Sequence, residues 1–189
     1  MQKRSVIMLM ACLGLFFVQN QTQAQTNMRE IGTRLQGVNN FGVVYKKQKA
    51  ENRYTRYQVV VGGISYSSVD LGNFNTNNTF GASFGFGIAW EKREEIDDKL
   101  QFVHGFAPLA AIGFSDGDGN TATSIELQLG YILGAQYNFS DKLYVSLEAV
   151  PRFAFLTRQT NTVDTYDFAA NFSSDLAFIT LAYRFKPKK

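Results

Sequence analysis

The stretch TFGASFGFGIAWEK, Thr79 to Lys92, sets Phe80, Ala82, Phe84, Phe86, Ile88 and Trp90 at every second position, with Gly81, Ser83, Gly85, Gly87 and Ala89 between them. An amphipathic helix needs apolar residues spaced by three and four, and this density of Gly, Ala and Ser would weaken one badly. The period is two, so the stretch predicts a strand. A strand that turns one face to water carries Lys, Glu, Thr or Asn on that face. Here the second face has almost no side chain, which places something narrow on that side.

The same alternation recurs. In SIELQLGYILGAQYNF, Ser124 to Phe139, the positions Ile125, Leu127, Leu129, Tyr131, Leu133, Ala135, Tyr137 and Phe139 form one face. Glu126, Gln128, Gly130, Ile132, Gly134, Gln136 and Asn138 form the other. KLYVSLEA (Lys142 to Ala149) and AFITLAYRF (Ala177 to Phe185) alternate in the same way. YTRYQVVVGGIS (Tyr54 to Ser65) is blurred by Val59, Val60 and Val61. In KLQFVHGFAPLAAIGF (Lys99 to Phe114), Pro108 suggests a bulge or a switch of face. A tilted strand needs about 9 to 11 residues to cross a bilayer, and the longest of these exceed that.

The connections alternate in length. Lys46 to Asn52, Arg93 to Asp98, and Ser140 with Asp141 are short and charged. Ser67 to Asn78, Ser115 to Thr121 and Thr157 to Asp167 are longer or richer in Gly, Asn and Thr. Outer-membrane barrels have short periplasmic turns, longer extracellular loops and an even strand number. Seven strands stand out, and the eighth is expected in Arg29 to Gly37, turning at Val38 to Asn40. The alternative is a hairpin near Asn171 to Ser174, hidden in the stretch from Val163 to Phe185. The predicted fold is all-β: an up-and-down antiparallel transmembrane barrel of about eight strands. Such a barrel is just wide enough to be filled by side chains, which accounts for the small inward face.

That filling sets the candidate polar residues. Arg56, Gln58, Glu126, Gln128, Gln136, Glu148, Arg152 and Arg184 fall in the inward phase and are expected to form a lumenal polar network, acids and arginines pairing across the lumen. Tyr45, Trp90, Tyr137 and Phe139, with Tyr183 and Phe185, fall near strand ends beside short turns, as an interfacial aromatic girdle requires.

Composition narrows the picture. In 189 residues, charged residues make up only 19% of the chain, below the quarter usual for soluble domains. The N-terminus has a basic MQKRS, an apolar run from Val6 to Val18 and small residues up to Ala24. Residues 1–24 therefore read as a secretory signal peptide and 25–189 as the barrel domain. Cys12, the single cysteine, falls inside the signal, so disulfides, thiolate metal sites and a cysteine nucleophile are not expected. The loss of Lys3 and Arg4 leaves a nearly neutral chain for which nucleic acid is not an expected partner.

These features resemble the small outer-membrane barrels of the OmpA transmembrane-domain and OmpX type. The resemblance rests on the signal peptide, the dyad strands and the terminal LAYRF ending at Phe185. It implies outer-membrane lipids as surroundings, the barrel-insertion machinery as a partner during biogenesis, and Leu181, Tyr183 and Phe185 as the C-terminal insertion signal. KPKK, Lys186 to Lys189, follows Phe185 and makes that signal internal. Some barrels of this kind are lipid-modifying enzymes, but His104 is the only histidine, and its phase turns it outward with no Ser and Glu in matching phase beside it. DGDGN, Asp116 to Asn120, starts like a calcium loop but lacks the Gly and Glu that such a loop needs next. No cofactor, metal or catalytic residue is expected. The expected role is structural or adhesive, at the cell outer membrane of a Gram-negative bacterium, with an extracellular ligand met by the loops. The alternatives are a narrow channel for small solutes or ions and, third, a lipid-modifying enzyme.

Overall fold

A computed structural model describes residues 28–36, 40–70, 76–117, 120–161, 163–171 and 177–187. The expected signal segment 1–24, with Cys12, lies outside them, as do the centre of DGDGN and the last two lysines. The strand segments are β1 (Arg29–Gln36), β2 (Asn40–Ala50), β3 (Arg53–Asp70), β4 (Thr76–Glu95) and β5 (Leu100–Gly117), then β6 (Asn120–Asn138), β7 (Leu143–Ala149), β8 (Arg152–Thr160), β9 (Asp164–Asn171) and β10 (Ala177–Phe185).

Neighbours pair antiparallel in the order β5, β4, β3, β2, β1, β10, β7, β6, and a β5–β6 ladder shuts the ring. β7 and β8 keep one register against β6, with Ala149 opposite Leu133 and Arg152 opposite Gly130, so together they make one barrel strand. Pro151 has no N–H to give at the seam, yet its carbonyl accepts from the Tyr131 N–H at 2.9 Å and keeps the strand attached. β9 and β10 continue along the other side of that strand, Asn171 opposite Arg152 and Ala177 opposite Ala149. The result is a closed eight-stranded barrel.

The eighth strand is β1, as the Arg29 to Gly37 segment suggested, and it joins the two chain ends by pairing Arg29 with Phe185 and Leu35 with Ile179. The alternative hairpin near Asn171 is not adopted, because β9 and β10 both run antiparallel to the β7–β8 strand. Pro108 does not switch the face of β5. Trp90 opposite Phe106 and Gly87 opposite Leu109 belong to a single register, with the ladder interrupted only between them. The irregular residue is Gly105, where any Cβ would be driven into the Trp90 carbonyl oxygen. The three longer links are mostly strand. β3 runs to Asp70, β5 to Gly117 and β8 to Thr160, so the barrel is tall on that side and the β1–β2 hairpin is its low point.

Exposure is inverted relative to a water-soluble barrel. Phe84, Phe86, Leu129 and Leu181 are about half exposed on the outside, whereas Arg56, Lys46, Glu30 and Glu148 are buried within. Outward aromatic rings pair along the short-turn side: Tyr45 with Tyr57, Phe106 edge-on to Tyr131 at 5.0 Å, and Tyr137 edge-on to Phe139 at 5.3 Å. The blurred Val59–Val61 run resolves the same way, with Val59 half exposed outside and Val60 facing the lumen.

Leu129→Arg on the outer face should cost about 2–4 kcal/mol of folding free energy in lipid vesicles, read from denaturant-unfolding midpoints. Gly105→Ala should cost about 3 kcal/mol, the upper end of overpacking penalties, in the same assay. Gly113→Ala should cost far less, because its Cβ would meet the movable Ser124 hydroxyl and not a backbone atom.

Candidate functional site: a buried ion-pair plug

Carrying the β4 alternation past Ala89 brings Glu91 and then Arg93 into the lumen, opposite β1, β3 and β7. Long polar side chains account for the bare position at Gly87 on this strand and contribute at Gly134 on β6, whereas Gly81, Ser83 and Gly85 line the open lumen above. A Cβ at Gly87 would fall 2.7 Å from Gln58 Nε2, and one at Gly134 would fall 2.9 Å from Glu148 Cγ. At these two positions long polar side chains from neighbouring strands occupy the space.

Three carboxylates organise the plug. Glu148 on β7 accepts two hydrogen bonds from Arg56 on β3, at 2.7 and 2.6 Å, and a third from Ser146 at 2.9 Å. β3 and β7 stand on opposite sides of the ring, so this fork spans the lumen. Arg34 Nη2 approaches the same carboxylate at 3.3 Å. Glu30 on β1 accepts a fork from Arg93 at 2.8 and 2.7 Å, the Tyr144 hydroxyl at 2.6 Å and Arg184 Nε at 3.0 Å. Glu91 lies between these hubs, paired with Arg56, with Lys46 at 3.2 Å and with Arg93 at 3.5 Å. Aromatic faces fill what the ion pairs leave. Tyr54 lies 3.7 Å from the Arg93 guanidinium, Phe178 3.7 Å from that of Arg34, and Tyr144 4.7 Å from that of Arg184. Forked, charge-assisted pairs of this kind are strong, and their low-dielectric setting makes them interdependent.

Of the residues singled out from sequence, Arg56, Gln58, Gln136 and Glu148 are buried in the lumen, and Arg184 reaches Glu30 and Asn138 at the short-turn end. Gln136 donates to Gln101 and Asn138 there, at 2.9 and 3.0 Å. Arg152 and Gln128 pair with each other at 3.0 Å further up, and Glu126 lines the same space above the plug. Sequence reasoning missed Glu30, Arg34, Lys46, Glu91, Arg93 and Tyr144. Lys46 and Arg93 fall in segments that read as short charged turns, and Glu91 and Arg93 continue the β4 dyad. The signal was the unbroken alternation itself, run two positions further.

The outward girdle residues Trp90, Tyr137, Phe139 and Tyr183 are each two-fifths or more exposed, Tyr45 is half-buried beside Tyr57, and β10 ends at Phe185 with Leu181 and Tyr183 facing out. His104 does face outward, but a glutamate accompanies it. Its Nε2 lies 3.5 Å from Glu94, and its Nδ1 lies 3.0 Å from the Tyr131 hydroxyl. The expectation that no Glu shares its face is corrected: β4 runs to Glu95, and Glu94 is on a strand where the sequence suggests a turn.

No protein-family model matches the chain, and no curated protein matches it. Among solved structures, a major outer membrane protein from Thermus thermophilus aligns with TM-score 0.50 and 12% identity, over 84% of this chain and 99% of that one. Neisserial surface protein A aligns with TM-score 0.48 and 12% identity, over 84% and 93%. Ail, the attachment invasion locus protein of Yersinia pestis, aligns with TM-score 0.44 and 10% identity, over 84% and 97%.

Glu148→Gln removes the charge that Arg56 and Arg34 share, and it should destabilise the folded barrel by about 3–5 kcal/mol in denaturant titrations. Glu94→Gln, on an exposed side chain, should leave the midpoint unchanged. The fold of this chain is that of a small eight-stranded outer-membrane β-barrel.

Proposed function

We propose that the protein is an integral outer-membrane barrel that serves as a closed scaffold and meets an external partner through its tall hairpins. The carrying observation is the plug. Arg56 and Glu148, forked across the lumen, are 0% and 1% exposed, so the side chains that would have to part for a solute to pass are dry and mutually neutralised. Barrels of this size are filled by side chains, and fold alone assigns them no chemistry. The hairpins beyond the plug are the part free to act. β9 has β8 as its only strand neighbour among the described residues, and it carries Tyr166 and Phe168 about 70% exposed. An exposed strand edge with aromatic side chains can take up an extended segment of another chain.

In this reading the aromatic belt at Tyr45, Trp90, Tyr137 and Phe139 sits at the periplasmic interface. Leu181, Tyr183 and Phe185 on the closing strand present the segment that the insertion machinery reads. His104, stacked on Phe102 and held between Glu94 and Tyr131, is an interfacial anchor and not a general base.

Single-cysteine variants test the orientation and the closed lumen together. Asp164→Cys in the β8–β9 hairpin should react with a membrane-impermeant maleimide on intact cells. Asp141→Cys in a short turn should react only after the outer membrane is permeabilised. The purified barrel should give no discrete conductance in planar bilayers. Labelling in the reverse order, or stepwise currents from the wild-type protein, would defeat the proposal.

A further inference from the structure

Directly above the plug, the lumen opens into a chamber of about 180 Å³ whose wall includes Arg34, Gln58, Glu126, Gln128 and Arg152. The charge around it is unbalanced. Among the described residues of the plug and this chamber, Arg34, Lys46, Arg56, Arg93, Arg152 and Arg184 face Glu30, Glu91, Glu126 and Glu148, so cations exceed carboxylates by two. Within the chamber, Arg34 and Arg152 stand against the one carboxylate of Glu126 among the described residues. Glu148 is already forked by Arg56, and Arg34 reaches it with one nitrogen at 3.3 Å. Arg152 has no carboxylate within ion-pair distance among the described residues, and its hydrogen-bond partner is the neutral Gln128. The Nε of Arg34 and the Nε of Arg152 are both buried without a hydrogen-bond partner among the described residues. An incompletely compensated guanidinium held inside a protein is costly and favours the uptake of a counter-ion.

We propose that this chamber is a receptor site for a compact oxyanion, a phosphate or carboxylate group held between Arg34 and Arg152. The guanidinium fork matches the paired oxygens of such a group better than it matches a spherical halide. The amides suit the same ligand. Gln58 Oε1 accepts from Arg34 and Gln128 Oε1 accepts from Arg152 at 3.0 Å, and each amide also carries N–H donors suited to an anion. The chamber continues toward the tall hairpins. A second chamber of about 270 Å³, lined by Ser115, Ser124 and Arg158, adjoins it toward the tall hairpins, and Ser83 lines both. Arg158 on that path gives an arriving anion a favourable field. On the other side stands the plug. The barrel is thus a blind cup with a cationic floor, a property independent of any partner of the hairpins.

The test is isothermal titration of the refolded protein in a detergent with an uncharged sugar head, so that no phosphate enters with the micelle. Sodium phosphate and sodium acetate are titrated separately against sodium chloride at constant ionic strength. At least one oxyanion should bind saturably with a stoichiometry near one per barrel. Loss of one charge-assisted partner should weaken that binding about tenfold or more in Arg152→Gln. Arg152→Lys should recover part of it, and Lys92→Gln, on the outer face, should leave it unchanged. Heat-modifiable gel mobility establishes that each variant is folded, and Arg152 lies outside the forked pairs of the plug. Heats that follow ionic strength alone, or saturable binding that persists unaltered in Arg152→Gln, would overturn the site. Preference for phosphate over acetate, or the reverse, identifies which oxyanion class the cup takes.

Discussion

Hydrocarbon offers a peptide group no hydrogen-bond partner, and the architecture of this protein follows from that constraint. Each described barrel strand pairs on both sides over its lower half, and β1 and β10, the first and last described strands, pair with each other in the ring. Closure with eight strands fixes a narrow bore. Two classes of residue follow: bulky apolar groups outside, where lipid receives them, and an inner face rationed by volume. Gly87 and Gly134 are small for a steric reason, since the volume a side chain would take is filled by Gln58 at the first and by the Leu147 carbonyl and Glu148 at the second.

The bore is also what makes the charges tolerable. Guanidinium and carboxylate groups from opposite walls meet at hydrogen-bonding distance without crossing water, and aromatic rings cover their faces. Arg56, Arg93 and Glu91 tie both hubs together, so the plug behaves as one network and not as separate pairs. Above it, Glu126 lines the bore without ion-pairing Arg152 among the described residues, and the lumen changes from sealed to hollow. One geometry therefore gives the molecule a solid base and an open cup.

Much of this was legible along the chain. The Thr79 to Trp90 and Ser124 to Phe139 dyads mark their strands because lipid selects strongly for the outer face, and Arg56, Glu148, Gln58 and Gln136 fall inward by simple parity. The six missed residues were hidden for different reasons. Glu30 and Arg34 sit on β1, whose alternation is the least marked in the pattern, and Lys46, Glu91 and Arg93 are charged residues next to turns, where charge ordinarily means solvent. Tyr144 falls on the right face by parity, but its phenol's bond to Glu30 spans 114 positions in sequence. Which cation meets which anion depends on the closed ring, and no local period encodes it. The tall hairpins read as loops because Asn, Thr and Gly beyond the bilayer lose the apolar marker while the backbone ladder continues.

Glu30 has a further consequence. Its carboxylate gathers Arg184 from the last strand and Arg93 from the fourth, on a segment that itself forms the seam between first and last strands. A sheet still open at that seam would hold these ions without their counterparts while its outer face already sought lipid. The electrostatic cost of an unfinished cylinder is thus borne at the joint that completes it. The interior acts as a latch that favours all-or-none shutting over a lingering, half-inserted sheet.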